Sequence, residues 1–328
     1  MRLPNLKSQR VLITGGLGFI GSNLAHKCLE LGASVTIYDC LDPRSGGNMY
    51  NIENIQDNVQ IVLNDLRNFE GMSAAILNHD VLFNCAAYTS HPGAMREPLI
   101  DIDVNCKGVI NLLEAARRFN PTIKIVHVGT STQIGKMQID IVDELHPEFP
   151  MDIYSANKSA SEKYILIYGT AYSMRTTVVR LANNFGPRSN IKNTDLGFVN
   201  YFIGLALQNK EITIFGKGNQ LRNLSYVEDS INALILASQN EKSNGQVFFS
   251  VADNQISVAK VASEIIDIMG GKLKHIEWPK EREAIEVGDS VMSNSKIKKM
   301  LEWKPQIDLT QGLTKTKEYF TSCLKKYL

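Results

Sequence analysis

Long apolar runs, internal repeats and low-complexity tracts are all missing from this chain of 328 residues. No stretch approaches the ~20 apolar residues that a membrane-spanning helix needs. The first apolar run, residues 11–13, is too short for the core of a signal peptide and has no cleavage site after it, so a cytoplasmic location is expected. Cysteine is scarce, with five residues at 28, 40, 85, 106 and 323 and no C-x-x-C pair. An odd, widely spaced set excludes a disulfide framework and reads as reduced thiols. Cysteine and histidine never cluster at ligand spacing, which removes a zinc site, and no metal is expected. An excess of either charge is missing too, because 35 basic and 34 acidic residues leave a net charge of +1. Without a basic block, neither nucleic acid nor a membrane surface has an electrostatic claim as partner. What the chain does have is apolar content, 44% of its residues, enough for a core larger than one average domain uses.

Short apolar runs alternate with helical patterns through the first half. Residues 11–13, 34–38, 59–63, 81–85, 123–128 and 177–181 read as strands, and 19–31, 103–119 and 154–172 as helices. In 103–119, Val104, Val109, Leu112, Leu113 and Ala116 fall at helical spacing. This alternation predicts an α/β fold, a doubly wound parallel sheet covered on both faces. Beyond Pro187 the texture changes. Residues 188–196 are polar and read as a mobile loop, and later elements look shorter and less regular. The division expected is a cofactor domain over 1–187 and a smaller, mainly substrate-binding domain over 188–328, with segments from about 226–251 folding back onto the first.

Four features carry chemistry. The turn after the first strand places glycine at 15, 18 and 21, followed by Phe19 and Ile20 at a helix start. Such glycines let backbone approach a pyrophosphate, and the helix N-terminus offers it N–H groups and a favourable dipole. The second strand ends in Asp39, at the distance where a carboxylate accepts from the adenosine ribose hydroxyls and repels a 2′-phosphate, which favours NAD over NADP. Arg44, five residues on, is a nearby cation that weakens this preference. Tyr154 and Lys158 stand at i and i+4, on one helix face, where an ammonium is expected to lower the phenol from about 10 toward neutrality for proton exchange with an alcohol or ketone. Lys158 also suits a hydrogen bond to the nicotinamide ribose. Finally, Thr130, Ser131 and Thr132 crowd the end of the fifth strand, where ligands of open α/β sheets bind.

Together these residues resemble the extended short-chain dehydrogenase/reductases, in particular the NAD-dependent epimerase/dehydratase family acting on nucleotide sugars, and the likeness runs over nearly the whole chain. It implies a Rossmann-type sheet with a smaller C-terminal substrate-binding domain. It also implies an adenine contact at Asp65–Leu66, cofactor contacts at Ala86 and Ala87, and a catalytic set of Thr130, Tyr154 and Lys158. Asn183, Arg222 and Arg282 take the positions of substrate diphosphate ligands, with Thr130 and Ser131 at the sugar. The helices at 103–119 and 154–172 resemble those of a homodimer interface. Two departures stand out. Family dehydratases carry Asp-Glu where this chain has Ser131–Thr132, so elimination of water lacks its acid/base pair. A Tyr-Gly pair whose Tyr lines the sugar pocket is replaced by Ile134–Gly135.

The activity implied is epimerisation, by oxidation to a keto sugar, commonly at C4, and re-reduction with NAD retained. A net dehydrogenase or 4-keto reductase would use the same residues with cofactor exchange. A non-catalytic dinucleotide binder on this fold would have no use for Thr130, Tyr154 and Lys158 together.

Overall fold

The computed structural model describes residues 3–283 and 286–328, the side chains of Glu281 and Arg282 excepted. Its strands are β1 (Arg10–Thr14), β2 (Ser34–Asp39), β3 (Val59–Leu63), β4 (Val81–Asn84), β5 (Lys124–Thr130) and β6 (Arg175–Leu181), then β7 (Asn183–Phe185), β8 (Glu211–Phe215), β9 (Leu221–Tyr226), β10 (Gln246–Ser250), β11 (Gln255–Ser257) and β12 (Lys272–Ile276). Seven of them form one sheet in the order β10-β6-β5-β4-β1-β2-β3. Every neighbouring pair in it is parallel. The order reverses between β1 and β4, which opens a crevice at the carboxyl ends of the central strands.

The central strands are apolar throughout because helices cover both faces. Val11 and Ile13 of β1 join a core with Leu24, Ala25 and Cys28 of the helix Phe19–Glu30 and with Ile231, Leu234 and Ile235 of the helix Val227–Gln239. Leu12 points to the other face and packs with Leu112, Leu113 and Ala116 of the helix Gly108–Phe119 and Ile165 of the helix Ile153–Ala171. The two-residue period of a strand thus feeds two cores from one short run. β10 pairs with β6 and the helix Val227–Gln239 lies under the same sheet, so residues far along the chain complete the first layer system.

A second core gathers Phe202, Ile203, Ile212, Ile214, Val261, Ile265, Leu313 and Phe320. Here the structure departs from the irregular texture expected. The helices Phe198–Leu207, Val258–Met269 and Leu309–Cys323 have 10, 12 and 15 residues, as long as several in the first half. Val258, Val261, Ala262 and Ile265 show the i, i+3, i+4, i+7 stripe that such a helix buries. The polar stretch 188–196 is anchored rather than loose, because Ile191 sits in this core at 1% exposure. Residues 102–107 form a π-helical turn ahead of Gly108, which departs from the single regular helix expected over 103–119. The wider turn directs Asn105 inward, where it accepts from Tyr88 N at 3.0 Å and donates to Tyr88 O at 2.9 Å.

Trp303 ties the C-terminal segment back to the first layer. It is fully buried, and its Nε1–H donates to Asp229 O at 2.9 Å. The Asp229 carboxylate accepts from Gln306 N at 2.9 Å and Ile307 N at 3.1 Å. Trp303→Ala is expected to cost about 3–5 kcal/mol of stability through the cavity it leaves. The check is a urea unfolding curve, and a midpoint unchanged from wild type contradicts it.

Candidate active site

Backbone proximity builds the first part of the site. Gly15 follows β1 at φ +67°, and a Cβ there would meet Ala86 N at 2.7 Å. A Cβ on Gly21 would lie 2.2 Å from Gly15 O. Only glycine allows the helix to start this close to the strand ends. Gly15, Gly18, Phe19, Ile20 and Gly21 line one part of the crevice, and Asp39, Asp65, Leu66, Ala86 and Ala87, at or just beyond the ends of β2, β3 and β4, line another. The first turn of the helix at Phe19 holds no acidic residue, so its N-terminal field toward the crevice is uncancelled. Asp39 accepts from Leu17 N at 3.0 Å and Leu41 N at 2.8 Å, which fixes the carboxylate at the crevice although burial pushes its pKa up. Arg44 does not offset it, because its guanidinium is held by Asp42 through contacts of 2.9 and 2.6 Å. Arg67 is held in the same way by Asp65, at 2.9 and 2.7 Å.

A line of polar contacts crosses the strand ends from the glycine turn to Lys158. Thr14 Oγ1 donates to Asn84 Oδ1 at 2.7 Å, and the Asn84 side chain meets His127 Nδ1 at 3.0 Å. His127 Nε2 lies 3.1 Å from Lys158 Nζ, which also donates to Val128 O at 2.8 Å. Lys158 is 3% exposed, and burial pulls its pKa down to about 8. Burial, aided by the Lys158 charge, keeps His127 neutral well below its usual range.

Tyr154 stands one turn earlier on the same helix, 8% exposed, packed with Tyr88 and Val104, two residues that also line the crevice. The expected lowering of its pKa does not occur in this state. Burial drives it above the usual value, Asp101 and Asp152 add to the rise, and a hydrogen bond with Thr130 works against it. The reason is that removing the phenol from water penalises phenolate more than the surrounding groups repay. Thr130 is buried at the end of β5, with its Oγ1 3.1 Å from Thr132 Oγ1.

The residues expected at the substrate are more dispersed. Ser131 is buried and donates its N–H to Leu181 O at 2.9 Å. Asn183 opens β7, and its Nδ2 donates to Asn223 O at 3.4 Å. The Arg222 guanidinium is occupied by Glu286 at 2.8 Å and by the Gly288 and Leu221 carbonyls. The Arg282 side chain lies outside the described residues. Ile134 faces a small core with Val142, Phe249, Val251 and Met292. Sequence reading missed Tyr38, Asn64 and Cys40 on the crevice wall, and Asn190, Leu196 and Asn200, which reach it from the second core. It also missed His91 and Asp152, which meet at 2.9 Å beside Tyr154. Asp152 carried a readable signal, an N-cap carboxylate three residues before Ser155, while nothing local marks His91.

A parallel sheet whose switch point is lined by a glycine turn and a terminal aspartate defines the class of dinucleotide-binding α/β enzymes. The chain belongs to the NAD dependent epimerase/dehydratase family, whose model matches residues 11–251. It is 30% identical over 317 residues to the UDP-glucose 4-epimerase of Mycolicibacterium smegmatis, covering 95% of this chain and 98% of that protein. It is 29% identical over 328 residues to a UDP-N-acetyl-alpha-D-glucosaminuronate decarboxylase of Bacillus cytotoxicus, covering 95% and 98%. The UDP-glucose 4-epimerase of Thermotoga maritima, solved with UDP-glucose, superposes with a TM-score of 0.88 at 28% identity over 96% of this chain and all of that one.

Lys158 makes the site's cost measurable. Its folded pKa of about 8 lies below the unfolded 10.5, so the folded state disfavours the ammonium. The penalty is complete below pH 8 and fades between pH 8 and 10.5, where the unfolded chain holds a proton that the folded chain has released. Removing the amine recovers about 3 kcal/mol at neutral pH, less about 1–2 for the Val128 carbonyl left without a partner. Lys158→Met is therefore expected to be about 1–2 kcal/mol more stable than wild type at pH 7, with the gain vanishing by pH 10. Urea titrations at both pH values test this, and a variant less stable than wild type at pH 7 defeats it.

Proposed function

We propose that the chain is an NAD-dependent nucleotide-sugar epimerase, oxidising a ring hydroxyl, commonly at C4, and reducing the keto sugar from the other face. The observation that carries this reading is the hydrogen bond of Thr130 with Tyr154 beside the crevice, with Lys158 one turn along the same helix and bonded to Val128 O at the end of the sheet, and hydroxyls with no carboxylate at Ser131 and Thr132. The crevice suits the cofactor, since a Cβ at Gly15 or Gly21 would strike backbone and Asp39 offers a carboxylate on the same crevice, an acceptor of the kind ribose hydroxyls need. When bound, oxidised NAD supplies a hydride acceptor and a positive ring.

In this reading Gly15, Gly18, Phe19, Ile20 and Gly21 hold the pyrophosphate, Asp39 the ribose, and Asp65, Leu66, Ala86 and Ala87 the adenine end and ring edge. Tyr154, as phenolate, takes the sugar hydroxyl proton in oxidation, and the phenol so formed returns it to the ketone oxygen in reduction. Burial holds the proton on Tyr154 in the free protein, so the phenolate depends on the charges brought beside it. Thr130 and Ser131 position the sugar oxygen. Lys158 steadies the phenolate and the nicotinamide ribose. Asn183, Arg222 and Arg282 receive the diphosphate, for which Arg222 must leave Glu286. Two chains pair through the faces that leave Ile102, Phe119, Ile167 and Tyr172 exposed.

Purified protein is expected to release NAD only on denaturation. It should interconvert C4 epimers of a UDP-hexose or UDP-N-acetylhexosamine without steady change at the NADH absorbance. Tyr154→Phe should lose about 10²–10⁴-fold in turnover and keep its NAD. Nucleotide analysis and NMR of a sugar panel read both results, and an empty protein or an active Tyr154→Phe rejects the proposal. Ile167→Glu is expected to halve the mass measured by sedimentation, and a monomeric wild type rules the dimer out.

A further inference from the structure

His91 and Asp152 make a pair that no step above uses. Asp152 caps the helix Ile153–Ala171, accepting from Ser155 N at 2.9 Å, and its second oxygen accepts from His91 Nδ1 at 2.9 Å and from Ser155 Oγ at 3.0 Å. The His91 ring stands edge-on against the Tyr154 ring, with centroids 4.7 Å apart and planes at 71°. With Nδ1 committed to the carboxylate, the ring orientation is fixed. The Asp152 side chain is only 10% exposed and the His91 side chain 32%, so solvent reaches the imidazole more readily than the carboxylate. Hydroxyls continue the line toward the sheet. Ser155 Oγ lies 2.9 Å from Thr132 Oγ1, itself 3.1 Å from Thr130 Oγ1. A carboxylate only accepts, so Ser155 Oγ is the donor to Asp152, while Thr130 Oγ1 accepts from Thr132 N at 3.3 Å and can turn its own proton to the Tyr154 oxygen, the bond that works against the rise in the phenol's pKa.

We propose that Asp152 and His91 are positioning residues for Tyr154: the pair fixes the phenol's ring and the hydroxyl chain behind Thr130, and its net charge sets how easily Tyr154 yields its proton. This rests on the reading of Tyr154 as the acid/base. The groups facing the phenol are Asp101 from the helix Pro98–Asp101, Asp152 from the cap of its own helix, His91 from the helix His91–Arg96, and Thr130 from β5, with Lys158 one turn further along the Tyr154 helix and bonded to His127 and Val128 O. The Asp152 charge, moderated by the N–H that His91 donates to it, holds Tyr154 protonated, and less of that charge lets phenolate form more easily.

The test is a titration of the NAD-loaded protein labelled at tyrosine Cζ with ¹³C, with Tyr154 assigned by the signal lost in Tyr154→Phe. Asp152→Asn keeps a good helix cap and should bring the Tyr154 midpoint down by about one pH unit, tenfold in proton affinity. His91→Phe, which leaves the cap carboxylate without the N–H that the ring donates to it, should raise that midpoint, so the idea stays testable where Asp152→Asn does not fold. A Tyr154 midpoint unmoved in either variant overturns it. Turnover plays no part in this readout, so a failed sugar assay and a failed titration are separable.

Discussion

The fold is organised around one close approach, the helix Phe19–Glu30 starting against the backbone at the end of β1. A Cβ at Gly21 would stand 2.2 Å from Gly15 O, and one at Gly15 would strike Ala86 N. These contacts bring the helix N-terminus, the end of β1 and the loop after β4 to one point. They also set where Thr14 stands, and from Thr14 the polar line through Asn84 and His127 reaches Lys158. The glycine turn and the buried amine are therefore ends of one connected line of contacts rather than two features side by side.

Burial then does most of the electrostatic work. It pulls Lys158 down, holds His127 neutral and pushes Tyr154 up, so each of these groups is shifted toward its neutral form. A site of this kind answers strongly to any charge brought into it, because little water is present to screen it. A different solution appears deeper in the same layer, where Arg180 is paired with Glu162 at 2.6 Å and Glu148 at 2.5 Å and stays charged. Pairing keeps that cation charged, while Lys158, bonded to a carbonyl and an imidazole, makes no ion pair among the described residues. The difference separates a structural buried charge from one whose protonation remains adjustable.

Local pattern determined much of this protein. Alternating apolar runs dictated the parallel sheet, the glycine spacing dictated a tight strand-to-helix turn, and the i, i+4 interval put Tyr154 and Lys158 on one helix, since each depends on residues close together in the chain. Tertiary structure decided what rests on distance. Only the folded chain brings His91 against Tyr154 across 63 positions, pairs Arg222 with Glu286, and buries Tyr154 so deeply that its proton is held more tightly, not less. The helices of the second core were written in the sequence at helical spacing, yet their place over the crevice was not, because Asn190, Leu196 and Asn200 reach it only once that core has closed. Spacing along a chain sets periodicity and reach. Solvent exclusion and the approach of distant charges exist only in three dimensions, and they govern the ionisation on which this site's chemistry turns.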